Sequence, residues 1–193
     1  LSDNGSDALV ITGTTGESPT LSSVEKLALY KTVVDAVAGK DTYVIAGTGT
    51  YNTAESVELT GKAAELGCAG VLAVTPYYNK PDQAGLVGHF SAIADVGLPV
   101  MLYNIPGRTG TRIEIDTLAR LAEHESIVAL KDAVLDIEFT GHTINRVPGL
   151  TVYSGQDSLT WPMMAVGAVG VVSVVSHLAG RAVATQVRAA LGG

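Results

Sequence analysis

Ile127-Val128-Ala129-Leu130-Lys131-Asp132 is the stretch from which the rest of this 193-residue chain is read. Four apolar residues run straight into a lysine. A short continuous apolar run suits a strand buried on both faces, as parallel sheets require. Lys131 then emerges at the strand's C-terminal end, where parallel α/β folds place their ligand crevices. Burial in apolar surroundings disfavours the charged ammonium, lowers its pKa and frees the amine. A neutral amine can attack a ketone and form a Schiff base. Taken on six residues alone, the plainer alternative is a lysine that ends a strand and snorkels to water.

The same pattern recurs on both sides of this hexapeptide. Apolar runs at Ala8–Ile11, Tyr43–Ala46, Val71–Val74, Pro99–Tyr103, Thr151–Ser154 and Gly170–Val174 each read as a strand. Helical segments are expected between them. One runs from about Val24 to Ala38, capped by Ser22 or Ser23, and another is capped by Thr53 and closes at Gly67. Further helices are expected near 83–96, 116–123 and 139–145, from Trp161-Pro162, and at the end of the chain near Leu191. About seven strands alternating with helices imply a parallel sheet. The loops after the strands are polar and glycine-rich, and those before them are short. That asymmetry predicts an α/β fold of the (β/α)8 TIM-barrel type with its site at the C-terminal face. Such barrels need eight strands and about 250 residues. Leu1-Ser2-Asp3-Asn4-Gly5 reads as the end of a helix, so residues 1–193 are expected to form one incomplete barrel domain whose first strand precedes Leu1. The competing architecture, an open doubly wound sheet, predicts a G-x-G-x-x-G turn. Only the fragment Gly47-Thr48-Gly49 is present.

Composition narrows the function. With 47% hydrophobic and 16% charged residues the chain suits one sizeable core. A net charge of −7 without a basic cluster argues against nucleic acid as a partner. The apolar stretch 165–175 is too short to span a bilayer and is interrupted by Gly167 and Gly170, with Gly180 just beyond, so no membrane role is expected. A single cysteine, Cys68, permits neither an internal disulfide nor a cysteine zinc cluster, which fits a reducing cytoplasm. Cys68 is read as a small core residue. His89, His124, His142 and His177 lack metal-ligand spacing and are read as surface or packing residues. No metal is expected.

Several loops carry groups that could serve Lys131. Gly13-Thr14-Thr15-Gly16 offers hydroxyls and accessible backbone N–H groups suited to a carboxylate, or simply a satisfied turn. Tyr103 ends a strand and carries a phenol able to relay protons, or is a half-buried aromatic with a wet hydroxyl. Tyr77-Tyr78 follows the extended entry Thr75-Pro76, and one of the pair could project into a site. Arg108, in the turn after the Tyr103 strand, could fork onto a second carboxylate, or stand exposed in its loop.

Together, Gly13-Thr14-Thr15-Gly16-Glu17, Val74-Thr75-Pro76-Tyr77-Tyr78-Asn79-Lys80-Pro81, Tyr103-Asn104-Ile105-Pro106-Gly107-Arg108-Thr109 and Leu130-Lys131-Asp132 resemble the dihydrodipicolinate (4-hydroxy-tetrahydrodipicolinate) synthase family. The likeness runs in order through nearly the whole chain. The first and last motifs mark the wider pyruvate-dependent aldolase superfamily, which includes N-acetylneuraminate lyase; Tyr78 with Arg108 points to the synthase.

The resemblance implies a lyase of lysine and diaminopimelate biosynthesis. Pyruvate would form a Schiff base with Lys131, and its enamine would attack L-aspartate 4-semialdehyde. Thr14, Tyr103 and Tyr78 match the proton-relay trio, with Tyr78 donated across a dimer interface of a homotetramer built as a dimer of dimers. Thr15 matches a ligand of the pyruvate carboxylate, and Arg108 the receiver of the semialdehyde carboxylate. Gly155 and the backbone carbonyl of Val172 match positions lining the pyruvate pocket. No external cofactor is implied. Gln156-Asp157 stands where the family usually has two acids. Feedback-inhibited members typically carry two histidines where Ser23 and Lys26 stand here. The alternatives are a sugar-acid aldolase of the same superfamily and a non-catalytic fragment.

Overall fold

Apolar runs of four to six residues become strands, and the polar signals between them start and stop the helices. The computed structural model describes residues 1–192. It opens with a 3-10 turn, Ser2–Asn4, closed by Gly5 in the left-handed region at φ 94°. In chain order there follow β1 (Ala8–Ile11), α1 (Ser23–Ala36), β2 (Tyr43–Gly47), α2 (Thr53–Glu65), β3 (Gly70–Val74), α3 (Gln83–Ala94) and β4 (Val100–Asn104). Then come α4 (Pro106–Thr109), α5 (Ile115–Leu121), β5 (Ile127–Asp132), α6 (Ile137–Arg146), β6 (Thr151–Ser154), α7 (Thr160–Ala165) and α8 (Ser176–Gly192).

Local chemistry sets the helix starts. Ser22 and Glu25 form a reciprocal capping box on α1. Asn52, not Thr53, caps α2: its side-chain oxygen accepts from the amides of Ala54 and Glu55. Thr53 is drawn away because its hydroxyl bonds Nδ1 of buried His89 at 2.8 Å. Asp82 and Asp136 cap α3 and α6.

All six strands are parallel and lie in sequence order, β1 to β6. Sequential order leaves no point at which the direction of winding reverses, which excludes the doubly wound sheet. The sheet curls into part of a barrel with helices outside. Its outer face builds the main core, where Val44, Val71, Leu102, Leu130 and Val152 meet Tyr30, Leu86, Phe90, Ile93 and Leu118. Cys68 is buried in this layer, as expected. The inner face carries a smaller cluster of Leu72, Val74, Met101, Tyr103, Ala129 and Ala133.

The structure corrects two expectations. The seventh strand, Gly170–Val174, is reduced to a single bridge between Val171 and Ser154. The amide of Val172 still reaches the Ser154 carbonyl at 2.9 Å. Beyond it, Asp157 captures the Ser173 hydroxyl and the amides of Val174 and Val175, and this pulls the chain out of the sheet toward α8. The described residues therefore contribute six strands, not seven. Secondly, β5 is not buried throughout: Val128 is 42% exposed. Val100 and Met101 face Ile127 and Ala129, so Val128 is the extra residue of a bulge. Val128 also lines a groove of about 900 Å³ that runs between β1, Val171 and α8 along the inner face.

Candidate active site

Strand alternation places Lys131 on the inner face, directly opposite Tyr103 of β4 and Tyr153 of β6. Lys131 is 8% exposed. Its Nζ lies 4.0 Å from the centre of the Tyr103 ring, an amine-over-aromatic contact. Burial pushes the Lys131 amine down to about 8; the Asp157 carboxylate opposes this and the Arg108 guanidinium adds to it. At neutral pH about one amine in ten is then uncharged, against roughly one in several thousand for an ordinary lysine. Tyr103 is buried, and burial raises its phenol above the usual range while Arg108 draws it back. Arg108 thus acts on both groups although it is itself solvent-exposed.

The C-terminal ends of β1, β2, β3 and β4 enclose a cavity of about 200 Å³, whose walls include Thr12, Gly13, Thr14, Tyr77, Tyr103 and Arg108. Glycine is needed where strand ends crowd together. A Cβ on Gly47 would collide with the Thr12 carbonyl, and one on Gly49 with the backbone of Val74. Tyr103 belongs to the cavity wall, and Lys131, which does not line the cavity, lies against the Tyr103 ring. The Thr75 hydroxyl donates to the Tyr103 carbonyl at 3.0 Å and ties the β3 loop to the end of β4.

The Arg108 turn is fixed from below. The side chain of Asn104, fully buried, donates to the Ile113 carbonyl and accepts from the Ile113 amide, both at 3.0 Å. The Thr109 hydroxyl lies within bonding distance of the carbonyls of Ile105 and Thr111. On the other side of Lys131, the Gly155 amide donates to the Asp132 carbonyl at 2.7 Å. A Cβ at Gly155 would approach the Ala133 Cβ to 2.8 Å, so glycine lets β6 turn close against β5.

The candidates named from sequence fall into three groups. Lys131, Tyr103, Thr14 and Arg108 gather at the cavity or directly behind it. Gly155 and Val172 lie at the same end of the sheet, beside Lys131's neighbours on β6. Thr15 is exposed and outside the cavity wall. Tyr78 is 89% exposed with φ 71°, and within one chain it is Tyr77 that lines the cavity, edge-on to Tyr51 at 5.4 Å. Sequence reasoning left Tyr153 and Thr12 without roles, met Asp157 only as a departure from the family pattern, and gave the site role in the Tyr77-Tyr78 pair to Tyr78. Tyr153 could have been found by counting: two strands in register place it beside Lys131. Among the described residues no three His, Cys, Asp or Glu side chains cluster as a metal site.

Comparison with known proteins bears on the family and the fold. Residues 1–193 match the model of the dihydrodipicolinate synthetase family. The chain is 51% identical over 192 residues to 4-hydroxy-tetrahydrodipicolinate synthase 1 of Halalkalibacterium halodurans, covering 98% of this chain and 65% of that protein. It is 53% identical to the Acidothermus cellulolyticus synthase, covering 100% of this chain and 62% of that one. Among solved structures, dihydrodipicolinate synthase from Aquifex aeolicus superposes with a TM-score of 0.97 at 46% identity, over 100% of this chain and 66% of that one. The Bacillus anthracis enzyme gives 0.95 at 52% identity, with the same coverage. The chain therefore spans a little under two thirds of the length of these curated relatives. A buried lysine at a strand end, a Gly-Thr-Thr-Gly loop, a strand-end tyrosine and an arginine turn, on six sequential parallel strands matched across their whole length, make this chain a member of the dihydrodipicolinate synthetase family.

Proposed function

We propose that the protein carrying these residues condenses pyruvate with L-aspartate 4-semialdehyde to 4-hydroxy-tetrahydrodipicolinate, in lysine and diaminopimelate biosynthesis. The observation that carries the reading is the Lys131 amine, buried at the end of β5 and pushed down to about 8 against the Tyr103 ring. The neutral amine adds to the keto carbon of pyruvate and water leaves, giving a Schiff base. Loss of a methyl proton yields the enamine, which attacks the semialdehyde carbonyl; the amino group of the adduct then adds to the imine carbon, the Lys131 nitrogen leaves as the free amine, and the ring closes. Thr14, Tyr103 and Tyr78 move the protons, Thr15 holds the pyruvate carboxylate, Gly155 and the Val172 carbonyl line its pocket, and Arg108 receives the semialdehyde carboxylate. The imine is itself the electron sink, so the chemistry calls for no metal or external cofactor.

In this reading Tyr78 serves the site of a second copy, which its 89% exposure supports. The assembly is a homotetramer made of two dimers, working in the cytoplasm. The six strands are part of a (β/α)8 barrel, of which residues 1–193 are an incomplete catalytic domain. The groove of about 900 Å³ between β1 and Val171 supports this reading, since it lies where such a barrel would close. Among the described residues no helix is long and apolar enough to cross a membrane.

The test is chemical. Incubating the protein with pyruvate and borohydride should fix one pyruvate-derived adduct, mapped by mass spectrometry to Lys131. Of the six lysines it alone lies in a strand. An adduct elsewhere, or none, rules the reading out. Lys131→Arg should not trap, because arginine stays protonated.

A further inference from the structure

Helix α1 contributes one side chain that the reaction scheme does not use. Tyr30 is fully buried. Its hydroxyl donates to the Gly47 carbonyl at 2.8 Å, at the end of β2. The Thr12 hydroxyl lies 3.2 Å from both the Tyr30 oxygen and the Gly47 carbonyl and is shared between them. Thr12 is also strained: its φ is 55°, in the left-handed region that a β-branched residue avoids. Such a conformation persists only where surrounding structure enforces it. Thr12 is the residue at which β1 turns into Gly13-Thr14-Thr15-Gly16, and Thr12, Gly13, Thr14 and Gly47 all wall the 200 Å³ cavity. Gly47 completes the lock by lacking a Cβ, which lets the Thr12 backbone lie against it. Burial pushes the Tyr30 phenol up to about 12, so at any working pH it keeps the proton that it donates.

We infer that Tyr30 is a positioning residue for the pyruvate site: its hydroxyl, with the Gly47 carbonyl, holds Thr12 left-handed and so fixes the loop that carries Thr14 and Thr15. The inference rests on the proposed Schiff-base reading for its ligand, but the lock itself is a property of the free protein.

The test is Tyr30→Phe in the protein at its native length, which removes one oxygen and keeps the ring in the core. Two readouts are compared with the unaltered protein. The first is amide hydrogen exchange at residues 13–16 and along α1, without ligand. The second is the pyruvate concentration for half-maximal borohydride trapping at Lys131. Losing one buried hydrogen bond should speed exchange at 13–16 and raise the half-saturating pyruvate by about five- to tenfold, leaving α1 exchange and maximal trapping unchanged. Adding Thr12→Gly, which accepts φ 55° unaided, should bring half-saturation back to within about twofold of the unaltered protein. A merely structural role for Tyr30 predicts no such rescue. Unchanged exchange at 13–16, unchanged half-saturation, or no recovery in the double variant each overturns the inference. If the unaltered protein fails to trap pyruvate, the Schiff-base reading falls, and the exchange comparison alone decides whether Tyr30 locks the loop.

Discussion

Replacing Lys131 by methionine should stabilise the folded protein, and the gain should depend on pH in a way that identifies the amine. A drop from the ordinary 10.5 to about 8 means that the fold holds the Lys131 proton less tightly than the unfolded chain, by about 3 kcal/mol. The folded value is depressed, so the associated stability is present above about 10.5 and is lost as pH falls through 8. Near pH 7 the wild-type fold therefore carries a charged amine that burial disfavours, and methionine of similar length relieves it. Urea unfolding of both proteins at their native length, from pH 7 to pH 10.5, gives the difference between them directly. Other titrating groups are common to both and cancel. The methionine variant should lead by a margin constant up to about pH 8, and that margin should shrink by about 3 kcal/mol as pH rises toward 10.5. Packing differences shift the whole curve without bending it. A margin independent of pH across this range would show that Lys131 titrates as a free lysine, and the argument for its neutral amine would fail.

Arg108→Ala should raise the Michaelis constant for the semialdehyde about tenfold or more, the loss of one charge-assisted fork, while pyruvate trapping at Lys131 stays nearly intact; lost trapping with an unchanged semialdehyde constant contradicts that role. Free lysine should inhibit weakly or not at all, because the resemblance leads one to expect a histidine where Lys26, a buried residue of α1, stands, and a lysine there would set a like charge against a cationic ligand; inhibition at micromolar lysine, read from initial rates, refutes this. A polypeptide of residues 1–193 alone should aggregate, since among the described residues β1 keeps an unpaired edge beside an apolar groove; a monodisperse, active species by size exclusion and turnover assay shows that the open sheet is tolerated.

Much of the fold was legible because the signals were redundant. Most strands were apolar runs and most of the longer helices had a polar start; beyond boundary shifts, the structure removed the strand at Gly170–Val174 and added the short helix α4. Asn52 displaced Thr53 as a cap because Thr53 answers to His89, a partner 36 residues away that no local pattern reveals. Gly170–Val174 looked like a strand by composition. It is ended by the Asp157 carboxylate, which offers its backbone a competing set of acceptors. At the site, Lys131 and Tyr103 were legible because strand-end residues inherit their position from the sheet. Tyr77 and Tyr78 were not separable in sequence: neighbours in a loop, they diverge because Tyr78 takes a positive φ. Tyr30 was invisible for the opposite reason. It looks like any core aromatic of a helix, and only its hydroxyl's contact with Thr12 and Gly47 distinguishes it.

The bulge at Val128 separates two parts of β5 that a regular strand would couple. In an unbroken strand, adding or removing one residue anywhere upstream exchanges the faces on which every later side chain projects. Here Ile127 faces outward, Val128 is taken out of the ladder, and the alternation restarts at Ala129 so that Lys131 points in and Asp132 points out to Thr140. Without Val128, Ile127 and Ala129 would still face Val100 and Met101, and the lysine would keep its side. Length changes in the connection from α5 can thus be absorbed before the strand's working half begins. The side to which Lys131 points is set after the bulge and not by the residue count before it.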